Sequence, residues 1–202
     1  MSIEFWNERY ATDDYHFGTE PNAFLKTEAG RLGSGWKALC VADGEGRNGV
    51  FLAEQGLEVT AVEGSPVAIA KARRLAGARG VAMDLIEADL ATWTWPTAAF
   101  DAVVAIFIQF ADPALRARIF AGMQQALKPG GLLLLQGYRP EQLTYGTGGP
   151  KVLENLYTEE MLRGAFPSLR LLQLRSHDSV VKEGKGHDGM SALIELVAEK
   201  LT

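Results

Sequence analysis

One cysteine and three histidines are all that this 202-residue chain offers of the side chains that make disulfides and bind zinc. A single cysteine excludes an internal disulfide framework. Cys40 also lies inside an apolar run, where a buried reduced thiol is expected. His16, His177 and His187 are far apart and show none of the spacings of a zinc site, so no resident metal is expected. No run of about 18 apolar residues occurs and nothing at the start reads as a secretory leader, so the expectation is a cytoplasmic protein with no membrane contact. Positive charge is scarce too. The 20 Lys and Arg against 25 Asp and Glu leave a formal net charge of −5, which offers nothing to a phosphate backbone. Nucleic acid is therefore disfavoured as a partner and a small molecule favoured. Repeats, low-complexity tracts and long linkers are missing, so residues 1–202 are read as one domain.

What the chain does have is concentrated between Lys37 and Gly49. Small and β-branched residues from Ala38 to Ala42 read as a short buried strand, and Arg47 to Gln55 as the helix that follows it. Between them, Gly44 and Gly46 have no Cβ, so the bend can turn sharply and approach a ligand closely. Gly44-x-Gly46-x-x-Gly49 satisfies the dinucleotide fingerprint, and on pattern alone an NAD or FAD site remains open. The charges favour a different ligand. A pyrophosphate needs an electropositive helix N-terminus, whereas Asp43 and Glu45 set two carboxylates beside this bend. S-adenosylmethionine (SAM), with its sulfonium and ammonium, suits that environment.

Six of the 18 aromatic residues fall in the first 24 positions: Phe5, Trp6, Tyr10, Tyr15, Phe17 and Phe24. Residues 1–36 are read as an aromatic-rich lid and a helix from Pro21 to Arg31, and residues 37–202 as the core. Aromatic faces attract cations, so Trp6 and Tyr10 are candidates to close a SAM pocket. Leu57 to Val62 is a second strand ending at Glu63-Gly64-Ser65-Pro66. Glu63 stands 19 residues after Gly44, where an acid can accept both ribose hydroxyls. Val81 to Leu90 supplies a third strand, leaving the Asp89 carboxylate and the Leu90 backbone to meet an adenine. Phe100 to Ile108 is a nearly unbroken apolar run, the mark of a strand covered on both faces.

Beyond that strand, Ile106-Phe107-Ile108-Gln109-Phe110 holds no Asn-Pro-Pro-aromatic tetrapeptide and no paired glutamates, so no catalytic residue is assigned. Leu132 to Leu135 is a further strand. Tyr138 and Arg139 emerge at its carboxyl end, where ligands bind in open α/β sheets, and are the substrate-side candidates. A mobile loop is expected over Gln142 to Pro150. A terminal hairpin pairs about Leu169–Ser179 with Met190–Ala198 through a turn over Glu183 to Gly189.

Asp43-Gly44-Glu45-Gly46, Glu63, Asp89, Leu127-Lys128-Pro129-Gly130-Gly131 and the closing hairpin together resemble a class I SAM-dependent methyltransferase. Trp6-Asn7-Glu8-Arg9-Tyr10, Phe17-Gly18-Thr19-Glu20-Pro21-Asn22 and Gly44-Glu45-Gly46-Arg47-Asn48 resemble its tellurite-resistance and thiopurine methyltransferase-like branch. The resemblance implies a Rossmann-like, doubly wound α/β fold. Its sheet is seven-stranded and mainly parallel, in the order 3-2-1-4-5-7-6 with strand 7 antiparallel. It also implies that Asp43, Gly44 and Gly46 hold the methionine part, with Asn48 in the same motif. Glu63 and Gly64 would meet the ribose, Asp89 and Leu90 the adenine, and Ile106 the sulfonium side. The reaction implied is methyl transfer from SAM to a small acceptor, releasing S-adenosylhomocysteine. With no acid, base or metal motif in view, a soft acceptor is expected: a thiol, selenium or tellurium species. The alternatives are an NAD(P)-binding oxidoreductase and a SAM-binding module without turnover.

Overall fold

The computed structural model describes residues 2–201. The chain begins with α1 (Ile3–Tyr10), started by the Ser2 hydroxyl accepting from the Phe5 N–H, and α2 (Ala23–Glu28), capped by the Asn22 side chain. The helix expected from Pro21 to Arg31 is thus shorter: Asn22 opens it, and a single 3-10 turn over 29–31 closes it. Seven strands follow: β1 (Lys37–Val41), β2 (Glu58–Glu63), β3 (Asp84–Glu87), β4 (Phe100–Ile106), β5 (Leu127–Tyr138), β6 (Leu169–Glu183) and β7 (His187–Lys200). The helices between them are α3 (Arg47–Glu54), α4 (Pro66–Ala78), α5 (Pro113–Ala126), α6 (Gln142–Tyr145) and α7 (Glu159–Ala165).

The strands form one sheet in the order β3-β2-β1-β4-β5-β7-β6. The first five run parallel, and β7 is antiparallel to both neighbours. Order and orientation are those that the resemblance implies. Parallel pairing brings the carboxyl ends of β1, β2 and β4 to one edge, so Asp43, Glu63 and Phe107 lie along it although they are distant in sequence. The chain reverses after β1 because Ala42, Gly44 and Gly46 all take left-handed backbone angles, with φ of 50°, 59° and 91°.

The elements differ in length from the sequence reading in instructive ways. β3 is cut to Asp84–Glu87, since an edge strand with one neighbour has less to pair with. Lys128 to Gly131, whose proline and two glycines would suit a turn, is drawn into β5. The hairpin is longer than expected, because β6 and β7 pair out to Glu183 and His187 and leave only three residues for the turn.

Side chains on the central strands alternate between two apolar layers. Leu39, Val103, Leu133 and Leu135 pack with Ile119, Phe120, Met123 and Leu162 from α5 and α7. Ala38, Cys40, Val104 and Leu134 pack with Phe24, Leu25 and Leu52 from α2 and α3. Cys40 is buried in that second layer, and burial pushes its thiol pKa well up. Because both faces are sealed, Leu133→Ala and Leu134→Ala should each cost about 2–5 kcal/mol in urea denaturation. A loss confined to one of them would mean that one layer is not closed.

Candidate functional site

The site grows from the end of β1. Asp43 Oδ2 accepts from the Gly49 N–H at 3.1 Å, so the carboxylate already occupies the first turn of α3. That turn is where a pyrophosphate would have to bind. Gly49 permits the approach: a Cβ there would stand 2.6 Å from Asp43 Oδ2. Gly46 has another reason for its missing side chain. A Cβ on it would come within 2.6 Å of Ala72 Cβ, so it is bare to let α4 pack against the bend. Gly44 alone faces the crevice, where a Cβ would meet the Tyr10 hydroxyl at 3.0 Å.

Glu63 closes the crevice from the end of β2. Its Oε2 accepts from the Gly44 N–H and its Oε1 from the Ser65 N–H, both at 2.9 Å. Each carboxylate oxygen has a second lone pair to offer. Burial raises the pKa of both acids: that of Asp43 is pushed up to about 7 by desolvation and by Glu63, against the pull of the Gly49 N–H. Desolvation raises that of Glu63 against three backbone N–H donors. Neither is ion-paired among the described residues, and the nearby cations are engaged elsewhere: Arg47 with Glu183 at 2.6 Å and Lys71 with Glu45 at 2.5 Å.

Glu45 is therefore a correction. The sequence places it beside Asp43 as a second ligand-facing acid, but the structure turns it away. It is 3% exposed, its Oε1 accepts from Lys71 Nζ, and its Oε2 accepts from the backbone N–H groups of His16 at 2.7 Å and Phe17 at 3.4 Å. Asn48 is also turned to the N-terminal segment, accepting from the Asn22 N–H at 2.9 Å. The negative crevice is made by Asp43 and Glu63, and the polar residues of Glu45-Gly46-Arg47-Asn48 fasten the segment that covers it.

That segment brings Tyr10, 4% exposed, over Gly44, with Trp6 stacked on it at 5.6 Å. Gly64 lies beneath Ile3 of α1, whose Cγ1 is 3.2 Å from where a Cβ would stand. Beside Glu63, the Ala88 N–H donates to the Glu63 backbone oxygen at 3.0 Å, which sets Asp89 at the rim. Asp89 is exposed and accepts from the Ala91 N–H at 2.8 Å. Leu90 buries its side chain in the core, leaving only its backbone, and Ile106 is half-buried against the α2 and α3 layer.

On the substrate side the two candidates part company. Neighbours on a strand point to opposite faces. Arg139 points outward, bonded to Asp178 and to the Leu193 oxygen, and so does not join the site. Tyr138 points inward, and its hydroxyl meets His187 Nδ1 at 2.5 Å. The His187 ring stacks between Phe17 at 4.6 Å and Phe107 at 4.3 Å, and Phe107 stacks on Tyr138 at 4.6 Å. Phe107 follows β4 with φ of 56°, a costly angle for an aromatic residue and of the kind found at functional sites. Sequence reading missed His187 and Phe107. The signal for the first is the hairpin's true length, which carries the start of β7 beyond the sheet edge and back over Tyr138.

Residues 38–131 match a family described as Methyltransferase domain. A demethylmenaquinone methyltransferase of Thermus thermophilus is 34% identical over 106 residues, which are 52% of this chain and 48% of that protein. The chain thus spans about half the length of the curated relative it matches. Among solved structures, the N-methyltransferase NodS of Bradyrhizobium japonicum in complex with S-adenosyl-L-homocysteine superposes with a TM-score of 0.72 at 15% identity, covering 98% of this chain and 97% of that one. TehB of Haemophilus influenzae superposes with a TM-score of 0.71 at 15% identity, over 98% of this chain and 66% of that one. The chain shares its fold with these solved structures, and its residues 38–131 are similar to a methyltransferase domain.

Asp43 supplies a test of the crevice's charge. Its pKa of about 7 in the folded chain lies above the ordinary carboxylate value of about 3.9, so the folded state holds the proton more tightly than the unfolded state. That stabilising difference is present below about pH 4 and is lost as pH rises through about 7. Ligand-free Asp43→Asn should match wild type near pH 4 in urea denaturation and exceed it by on the order of 2 kcal/mol near pH 8. A variant no more stable at the higher pH would mean that the carboxylate is not strained by its surroundings.

Proposed function

We propose that the chain is a SAM-dependent methyltransferase that methylates a small-molecule acceptor in the cytoplasm. The observation that carries the reading is the pair Asp43 and Glu63, two desolvated carboxylates at one strand-end crevice with the neighbouring Arg47 and Lys71 paired elsewhere. Such a pair favours a ligand that brings positive charge and hydroxyl donors together. SAM fits it. By its sulfonium the cofactor supplies a methyl group open to in-line attack.

The residues divide the work by position. Asp43 and the bare Gly44 would hold the methionine end, Glu63 the ribose beside Gly64, and Asp89 with the Leu90 backbone the adenine. Tyr10 and Trp6 would cover the cationic centre, near which Ile106 lies. Gly46 and Asn48 would act indirectly, through the packing of α4 and the anchoring of the N-terminal segment. A dinucleotide is disfavoured because Asp43 itself occupies the α3 N-terminus.

The acceptor we infer is a soft nucleophile: a thiol, selenium or tellurium species. The wall around its path, Phe17, Phe107, Tyr138 and His187, is aromatic and carries no ion pair. It would exclude water while holding nucleophile, methyl and leaving sulfur in line. The tellurite-resistance and thiopurine-like branch rests on the N-terminal motifs quoted above.

Calorimetry should show SAM binding and no heat with NAD, and Glu63→Ala should weaken SAM by about 1–3 kcal/mol. Unchanged affinity in that variant would remove Glu63 from the ribose, and binding of NAD in place of SAM would overturn the function itself.

A further inference from the structure

The aromatic cluster at the ends of β4, β5 and β7 contains one group able to take a proton. Phe17 and Phe107 press on the two faces of the His187 ring, and the Tyr138 hydroxyl fixes its Nδ1, so the imidazole has one orientation and one free nitrogen. Nε2 has no hydrogen bond among the described residues. Tyr138 is itself held from both sides. Its N–H donates to Gln109 Oε1 at 2.5 Å, and its oxygen accepts from Gln109 Nε2 and from the Tyr157 N–H, both at 2.9 Å. The loop over 146–150 lies directly on the pair: a Cβ on Gly149 would stand 2.6 Å from the Tyr138 ring, and one on Gly148 3.4 Å from His187 Nδ1. The strained Phe107 and these two glycines with φ of 145° and 80° are what such close cover requires.

We propose that His187 is the proton acceptor for a thiol substrate, with Tyr138 as the positioning residue that leaves Nε2 bare. The proposal rests on the methyl-transfer reading above. In the step, the thiol proton passes first to Nε2, and the thiolate sulfur then bonds to the donor's methyl carbon. The electron pair of the breaking carbon–sulfur bond stays on the departing sulfur, and the proton reaches water once the covering segments open. The step requires the tautomer in which Nδ1–H donates to the Tyr138 hydroxyl oxygen.

The charged and titratable groups facing the ring are Arg47, held by Glu183 of β6, together with His16 and with Arg9 of α1. Burial, with these groups, lowers the His187 pKa to about 3, so the imidazole is neutral in the ligand-free protein and holds a proton only beside an opposite charge. A thiolate forming beside Nε2 is the counter-charge that an imidazolium needs in this place.

Two thiols test the assignment. An aliphatic thiol is protonated at neutral pH and needs a base, whereas a nitrothiophenol is already ionised. His187→Gln should slow methylation of 2-mercaptoethanol by about 100-fold, the scale of a lost general base, and that of 4-nitrothiophenol by no more than about 3-fold. SAM affinity, read by calorimetry, should stay at the wild-type value. Nitrogen NMR of histidine-labelled ligand-free protein should find His187 protonated on Nδ1 and bare on Nε2, and Tyr138→Phe should blur that preference. Equal losses on both thiols, the opposite tautomer, or a wild-type protein that binds SAM and methylates neither thiol would each overturn the proposal. Absence of SAM binding would instead sink the function it rests on.

Discussion

The buried pair of Lys71 and Glu45 is the constraint on which the site depends. Both side chains are 2% exposed, and Lys71 Nζ also donates to the backbone oxygens of Tyr10 at 3.2 Å and Asp14 at 2.6 Å. With the two N–H groups that Glu45 accepts from His16 and Phe17, this one ion pair ties α4, the glycine bend and the N-terminal segment together. Burying two charges is costly, and only such complete hydrogen bonding offsets it. Removing either partner would strand the other, a loss of about 3–5 kcal/mol in comparable cases. The cover over the crevice is thus a consequence of charge satisfaction, and its aromatic residues are placed by it.

The three acids around the bend show how neighbours decide the role of a side chain. Glu45 has a lysine brought to it and becomes structure. Asp43 and Glu63 receive only backbone N–H groups, so they stay proton-hungry and open to whatever cation arrives. Stability is spent at this edge to keep it receptive, as is common where a scaffold serves a ligand.

The fold was legible because parallel strands buried on both faces read as apolar runs, and because the glycines and the acids at strand ends mark the turns. That Asp43, Glu63 and Tyr10 gather around one bend could be expected from their positions. The direction of Glu45 could not: it depends on Lys71, which lies 26 positions away and is buried although lysine is ordinarily exposed. Arg139 and Tyr138 are adjacent in sequence, and only the pleat of β5 separates their fates. His187 was passed over because its partners come from β4, β5 and the N-terminal segment, and no local pattern links such distant positions. The limits of β3, β5 and the hairpin shifted for a related reason, since pairing with a neighbour decides where a strand ends.

The hairpin tip is sewn to the beginning of the chain. Lys185 donates through its backbone to His16 and through its side chain to Asp14, and Glu183 accepts from Asn22 and Arg47. These bonds join residues separated by as many as 171 positions. Loops of that size close late and slowly. On a ribosome residues 14–22 emerge well before residues 183–185 and must wait for them before they can settle. A growing chain can therefore assemble β1 to β4 well before its cover is in place, so the pocket closes only once the β6–β7 hairpin has been made.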